Sequence, residues 1–263
     1  MTATGGWWPA RASTDMRILI LGGTHEAFHL AEQLAEMADI EIISSLAGRT
    51  KEPRMPKGEV RMGGFGGADG LARYLREERI SHLVNATHPF AARISANAVA
   101  AAESASVPLM RLLRPAWHPQ PDDRWVAARD AGEAAELCRR EGGRIFLTLG
   151  SGDLDAFADI RNAHFLVRMV DMPERLPLND YRTIAARGPF TLQDELRLLA
   201  EHHIALLVAK NSGGDATYAK IEAARRMELP VIMIDRPAIA LDPRSPAAVN
   251  VADVVAWVRQ QRG

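Results

Sequence analysis

The stretch Met16–Leu30, MRILILGGTHEAFHL, constrains the chain most. Arg17 to Leu21 is a short, almost wholly apolar run that Gly22-Gly23 ends at once. Such a run predicts a parallel strand buried on both faces. Thr24 can cap a following helix, and Glu26 suits the positive end of its dipole. Ala27, Leu30, Ala31 and Leu34 then recur at helical spacing. Strand, glycine turn and helix N-terminus together make a phosphate cradle, where backbone N–H groups approach a pyrophosphate. GGTHEA is not the full GxGxxG fingerprint, and a Gly-Gly turn also serves simply to join strand to helix.

The same alternation continues. Asp39 to Ser45 predicts a second strand, followed by a loop carrying Arg49 and Lys51 with no acid before Glu52. In a Rossmann-like sheet this loop faces the adenine ribose, and an arginine there accommodates the 2′-phosphate of NADP. A solvated basic loop is the bland alternative. Val60 to Met62 is a third strand, ending in Gly63-Gly64-Phe65-Gly66-Gly67, a flexible turn or a close approach to a planar cofactor. Asp69 can cap the next helix. Ser81 to Asn85 is a fourth strand, and Ala86-Thr87-His88-Pro89-Phe90-Ala91 opens the helix from Ala92. Val107 to Leu113 is a fifth, ending in Arg114-Pro115.

Residues 115–124, PAWHPQPDDR, have the proline content of a linker. The pattern then restarts. Strands are expected at 124–127, 144–149, 165–170, 182–185, 205–209 and 231–234, with helices at 131–140, 153–160, 192–201, 217–227 and 251–261. Alternating strands and helices imply right-handed parallel crossovers. The expected fold is therefore α/β: two Rossmann-like parallel-sheet domains with a ligand cleft between them. Residues 1–15 are expected to be a disordered extension, 16–114 the NADP-binding domain, and 125–263 the substrate-binding domain.

Composition excludes several partners. A net charge of −1 gives no field for nucleic acid or a membrane surface. The apolar windows are strand-length, so no membrane span is expected. Residues 1–15 lack the apolar core of a signal peptide. Cys138 is the only cysteine, which rules out an internal disulfide and a cysteine zinc cluster and suits a cytoplasmic protein. No metal site is expected. A monomer or small homo-oligomer is.

Common catalytic signatures are missing: no Gly-x-Ser-x-Gly elbow, no Gly-x-x-x-x-Gly-Lys-Ser/Thr loop, no zincin histidine pair and no Tyr-x-x-x-Lys pair. What remains lies at strand ends, where such sheets bind ligands. His88 sits beside a helix N-terminus, whose dipole disfavours imidazolium. It is either a neutral participant in chemistry or a loop-shaping residue. Lys210-Asn211-Ser212-Gly213-Gly214 offers a cation, two polar side chains and a glycine nest for an anion, which Thr217 and Lys220 would extend. Gly150-Ser151-Gly152 is a weaker sign of the same kind.

Four segments together, ILGGTHEA at 20–27, ATHPFA at 86–91, RGPF at 187–190, and KNSGG with Thr217 and Lys220, resemble the precorrin-6A reductase family of cobalamin biosynthesis. The resemblance covers nearly the whole chain from Met16. It implies NADPH as cofactor and reduction of the C18–C19 double bond of precorrin-6A, a tetrapyrrole-derived polycarboxylate, to give precorrin-6B. A cobalt-containing substrate serves the anaerobic route, and the motifs do not separate the two. The expected cofactor-binding residues are Gly22, Gly23, Thr24, Glu26, Arg49, Gly64, Thr87, His88, Pro89 and Phe90. The expected substrate-binding residues are Ser151, Arg187, Lys210, Asn211, Ser212, Gly213, Gly214, Thr217 and Lys220. His88 is the candidate proton donor, with water as the alternative. Two other functions fit the residues alone: an NADP-dependent reductase of another small polycarboxylate, and a non-catalytic nucleotide sensor, which would need no second anion nest.

Overall fold

A computed structural model describes residues 16–48, 54–238 and 246–262. The first part runs β1 (Met16–Leu21), α1 (His25–Leu34), β2 (Ile40–Leu46), β3 (Glu59–Met62), α2 (Ala68–Glu77), β4 (His82–Asn85), α3 (Ala92–Ala105) and β5 (Leu109–Leu112). The second runs β6 (Arg124–Ala128), α4 (Ala131–Glu141), β7 (Gly143–Thr148), β8 (Ala163–Met169), β9 (Tyr181–Ala185), α5 (Leu192–Glu201), β10 (Leu206–Lys210), α6 (Ala219–Arg226) and β11 (Pro230–Ile234). The chain closes with β12 (Ala247–Ala248) and α7 (Val251–Gln261).

These strands form two six-stranded parallel sheets, ordered β12-β5-β4-β1-β2-β3 and β6-β11-β10-β7-β8-β9. The two orders are the same topology, with β1 and β7 in equivalent places. Their sixth strands are exchanged. β6, which follows β5 in sequence, joins the second sheet beside β11, and β12 returns from the far end of the chain to pair with β5. This corrects the expectation that 125–263 is one unit: β12 and α7 complete the first. The reason is apolar burial, since Val251, Val254, Val255 and Val258 of α7 pack on Leu30, Ala31 and Leu34 of α1. The short β12 carries too little sequence signal to show which sheet it extends.

Burial on both sheet faces explains the apolar run of β1. Ile18 and Ile20 face α1 and α7, whereas Leu19 faces α2 and α3. Each fully buried aliphatic side chain of this kind contributes about 1.5–3 kcal/mol. Helix starts follow side-chain chemistry. Thr24, Asp130, Thr191 and Asn250 accept first-turn N–H bonds, as N-cap residues do. Asp69 does not cap α2; it lies inside the first turn, and Gly67 is the cap position. The expected helix at 153–160 is a tighter 3-10 segment, Ser151–Phe157. Another 3-10 turn, Asp215–Thr217, precedes α6. Among the described residues no helix is long and apolar enough to cross a membrane.

The linker is not a loose tether. Trp117 is buried among Phe146, Leu207 and Ile221 of the second unit.

Candidate active site

The ends of β1, β4, β5, β10 and β11 meet where the two sheets face each other. On the first unit, Gly22 N–H donates to the Ser45 carbonyl at 3.0 Å. Gly23 has φ +105 and open space where a Cβ would stand. A helix's first-turn N–H groups lack acceptors within the helix, so the opening above Gly23 suits a phosphate group. The Thr24 side chain is engaged within the protein. Its hydroxyl is buried, accepts from Ala27 N–H at 3.1 Å and donates to the Ala86 carbonyl at 2.8 Å. It ties the cradle to the β4 loop. Glu26 is bonded to Arg114 rather than open toward a ligand, with Nη1 at 2.5 Å from Oε2. Gly64 lies in a loop shaped by Arg61, which donates to the Gly63 and Gly64 carbonyls and stacks 3.7 Å from the Phe65 ring centre. Arg49, expected at the 2′-phosphate, lies outside the described residues, as do residues 1–15. Thr24, Glu26, Ala86, Thr87, Pro89, Leu112 and Arg114 surround a shallow open depression.

The Thr87–Phe90 loop projects from β4. Thr87 Oγ1 donates to Asn85 Oδ1 at 2.8 Å. Phe90 N–H donates to His88 Nδ1 at 3.3 Å, so the ring takes the neutral form with its proton on Nε2. Crowding by the cleft walls, with the nearby charges of Arg114, Lys210, Arg236 and Lys220, pushes the His88 pKa down to about 3. The residue keeps an exposed edge at the open cleft, which partly hydrates the ring. The four cations and the Phe90 bond favour the neutral form independently of that exposure. The neutral ring is therefore the favoured form in the free protein.

On the second unit, Lys210 Nζ lies 4.9 Å from the Phe90 ring centre and 2.5 Å from Asp153 Oδ2. The loop after β4 and the nest after β10 thus face one another. Ser212 is buried, and its hydroxyl has no hydrogen bond among the described residues, so it can serve a ligand. Gly213 and Gly214 have positive φ, and a Cβ on Gly213 would collide with the Pro115 carbonyl. Arg187 and Ser151 are exposed. The RGPF loop docks beside the nest, with Phe190 N–H donating to the Ala216 carbonyl at 3.3 Å.

Two expected substrate contacts are engaged within the protein. Asn211 Oδ1 accepts from Trp117 N–H at 2.8 Å, and Nδ2 donates to the Trp117 carbonyl at 3.1 Å. Asn211 thus fixes the linker instead of presenting its amide. Lys220 does not extend the nest on the surface. It is buried, donates to the Thr217 carbonyl at 2.8 Å and sits 5.1 Å from the Trp117 ring centre. Burial, with Arg168 and Arg114 and against Glu195, pulls its pKa down to about 7. Thr217 supplies that carbonyl, and its side chain is half-buried.

Residues not singled out from sequence complete the arrangement. Arg114 Nε donates to the Ser212 carbonyl at 2.9 Å. Arg236 donates to the carbonyls of Asn211, Arg114, Pro115 and Ser212, four acceptors that carry no full charge. Both arginines precede a proline just after equivalent strands, β5 and β11, a repeat visible in the sequence once the topology is known. The cleft is strongly cationic, with Glu26 and Asp153 its partial counterweights. It suits a polyanion next to a nucleotide.

A sequence profile of the family described as "Precorrin-6x reductase CbiJ/CobK" matches residues 17–259. The chain belongs to the precorrin-6x reductase family. A Rhodococcus erythropolis member named precorrin-6A reductase is 50% identical over 242 residues, covering 92% of this chain and 97% of that protein. A solved structure named CobK precorrin-6A reductase superimposes with TM-score 0.88 at 43% identity, covering 93% of this chain and 96% of its own. A Priestia megaterium member named cobalt-precorrin-6A reductase is 31% identical over 84% of this chain and 91% of that protein. The family's shared fold is thus two α/β units, and the cationic cleft between them is the family's candidate active site in this chain.

Proposed function

We propose that this protein catalyses the NADPH-dependent reduction of precorrin-6A to precorrin-6B, at the C18–C19 double bond. The carrying observation is the approach of Lys210, in the anion nest, to Phe90, in the β4 loop, which supports a substrate site lying against a nucleotide site. The identity of 50% to a precorrin-6A reductase, against 31% to a cobalt-precorrin-6A reductase, supports the cobalt-free substrate.

The residues fit the cofactor. Gly23 leaves open the space that a Cβ would fill, beside a helix N-terminus, and suits a pyrophosphate. Gly64 and the Thr87–Phe90 loop would flank the rest of the dinucleotide, with Arg49 at its 2′-phosphate. When bound, NADPH supplies a hydride from its nicotinamide ring. The protein's work is to bring two flat partners together and keep water away. Lys210, Ser212, Arg187, Ser151 and the Gly213–Gly214 backbone would hold carboxylates of the macrocycle. Charge-assisted bonds to such groups fix its orientation. Asn211 and Trp117 keep the nest in place from behind. We take the proton that completes the reduction to come from water, since His88 is favoured neutral in the free protein.

The test is consumption of NADPH, followed by absorbance, on addition of precorrin-6A. Consumption should need the macrocycle and be much slower with NADH. No consumption with precorrin-6A would refute the assignment.

A further inference from the structure

Arg111 and Asn85 stand side by side on neighbouring strands, paired in register across β5 and β4. Both are more than nine-tenths buried. Register partners in a parallel sheet project to the same face, and Leu109 and Leu83, two residues earlier, both pack toward α2 and α3. Asn85 Oδ1 is held by the Thr87 hydroxyl at 2.8 Å and the Thr87 N–H at 3.3 Å, which turns the amide NH₂ away from that loop. The NH₂ has no acceptor among the described residues, and the Arg111 guanidinium has neither acceptor nor acid there. Neither is sealed away from solvent-accessible space. Arg111 lies on β5 three residues before Arg114, whose guanidinium reaches the Ser212 carbonyl of the second unit.

A buried guanidinium without a counter-ion is costly to a fold. A neighbouring amide that can only donate adds to the demand for an acceptor. We infer that Asn85 and Arg111 form a carboxylate subsite that holds one acidic side chain of the macrocycle. The inference rests on the function proposed above. Its anion is the substrate's and not the cofactor's, for two reasons. Arg111 is on β5, and β4 lies between it and the cradle strand β1, a separation of about 10 Å across the sheet, although Asn85 itself pairs with Leu21 at the end of β1. The cradle helix α1 also covers the opposite sheet face from Arg111.

Three proteins test this: wild type, Arg111→Met and Asn85→Asp. Arg111→Met removes the charge and keeps an apolar stem. It should raise the precorrin-6A KM tenfold or more, leave the NADPH Kd within twofold, and leave the melting temperature unchanged or higher. Asn85→Asp keeps an oxygen for Thr87 while giving Arg111 an internal partner. It should stabilise the protein and yet raise the substrate KM. A merely structural Arg111 would show the stability change without the KM change. Unaltered KM in both variants, or a weakened NADPH Kd in Arg111→Met, would overturn the subsite. Thermal shift with the tricarboxylate tricarballylate separates this from the fate of the functional proposal. It should stabilise wild type more than either variant, and equal stabilisation of all three would overturn the subsite. A wild type that ignores precorrin-6A while showing this difference would refute the function and keep the subsite.

Discussion

Glu26 of α1 is joined to Arg114 across the mouth of the cleft, Oε2 to Nη1 at 2.5 Å, with both side chains mostly buried. The same guanidinium holds the Ser212 carbonyl. One side chain therefore connects the proposed cofactor cradle to the proposed substrate nest. Arg114→Met should cost about 1–2 kcal/mol of stability, as a partly buried charged hydrogen bond does. It should also weaken both ligands, because each site loses a wall. Urea unfolding and separate titrations of NADPH and substrate check this. An unchanged unfolding midpoint would mean that the two units hold their positions without Arg114.

Gly23 and Gly213 should respond differently to alanine. At Gly23 there is room for a methyl group, but φ is +105. The strain costs about 1–2 kcal/mol, and the methyl group stands where a phosphate would approach. Cofactor affinity should fall while the fold survives. At Gly213 the methyl group would meet the Pro115 carbonyl and come within 2.6 Å of Arg236 Nη2. That loss should exceed about 2 kcal/mol, the range of overpacking. Equal unfolding midpoints for the two variants would contradict the account.

Much of this was legible in the sequence because it depends on local pattern. The apolar run before Gly22-Gly23, the Thr24 cap and the KNSGG turn each declare a conformation within a few residues. The exchange of β6 and β12 was not legible, since it depends on which of two equivalent sheet edges a short strand meets. The roles of Arg114 and Arg236 were hidden for a similar reason: a strand-end arginine takes its meaning from carbonyls distant in sequence. The bonds of Asn211 to Trp117 were hidden because sequence shows that an amide is present but not which backbone groups it meets. Lys220 was expected to extend the nest because sequence does not show that Trp117, a residue of the linker, lies against it.

Lys210 and Asn211, adjacent in sequence, should therefore behave unlike each other. Lys210→Ala should raise the substrate KM, leave the NADPH Kd nearly unchanged, and have less effect at high salt. Asn211→Ala should cost about 1–3 kcal/mol of stability, the value of two buried hydrogen bonds. It should shift tryptophan emission to the red as Trp117 loosens. A Lys210 variant with weakened NADPH binding and normal substrate kinetics would move that lysine to the cofactor site.

The neutral His88 has a pH signature. Its pKa is about 3 in the folded protein and near the ordinary 6.5 when unfolded. Between those values the unfolded chain binds more protons, so stability rises with pH. The contribution is complete above about pH 6.5 and is lost as pH falls toward 3. His88→Gln should flatten the stability curve across that window relative to wild type. Proton NMR of the ring should show no titration near neutrality in the free protein. A ring midpoint above pH 6 would contradict the cationic picture of the cleft.

The central claim is that the cleft lets hydride pass directly from cofactor to macrocycle. The most direct measurement uses NADPH deuterated at the transferring C4 position, wild-type protein and precorrin-6A in ordinary water, with the product read by mass spectrometry and NMR. The account predicts one deuterium retained on a carbon of the C18–C19 bond, with a solvent hydrogen on the other. A product carrying no deuterium, or deuterium washed out to solvent during turnover, would contradict it.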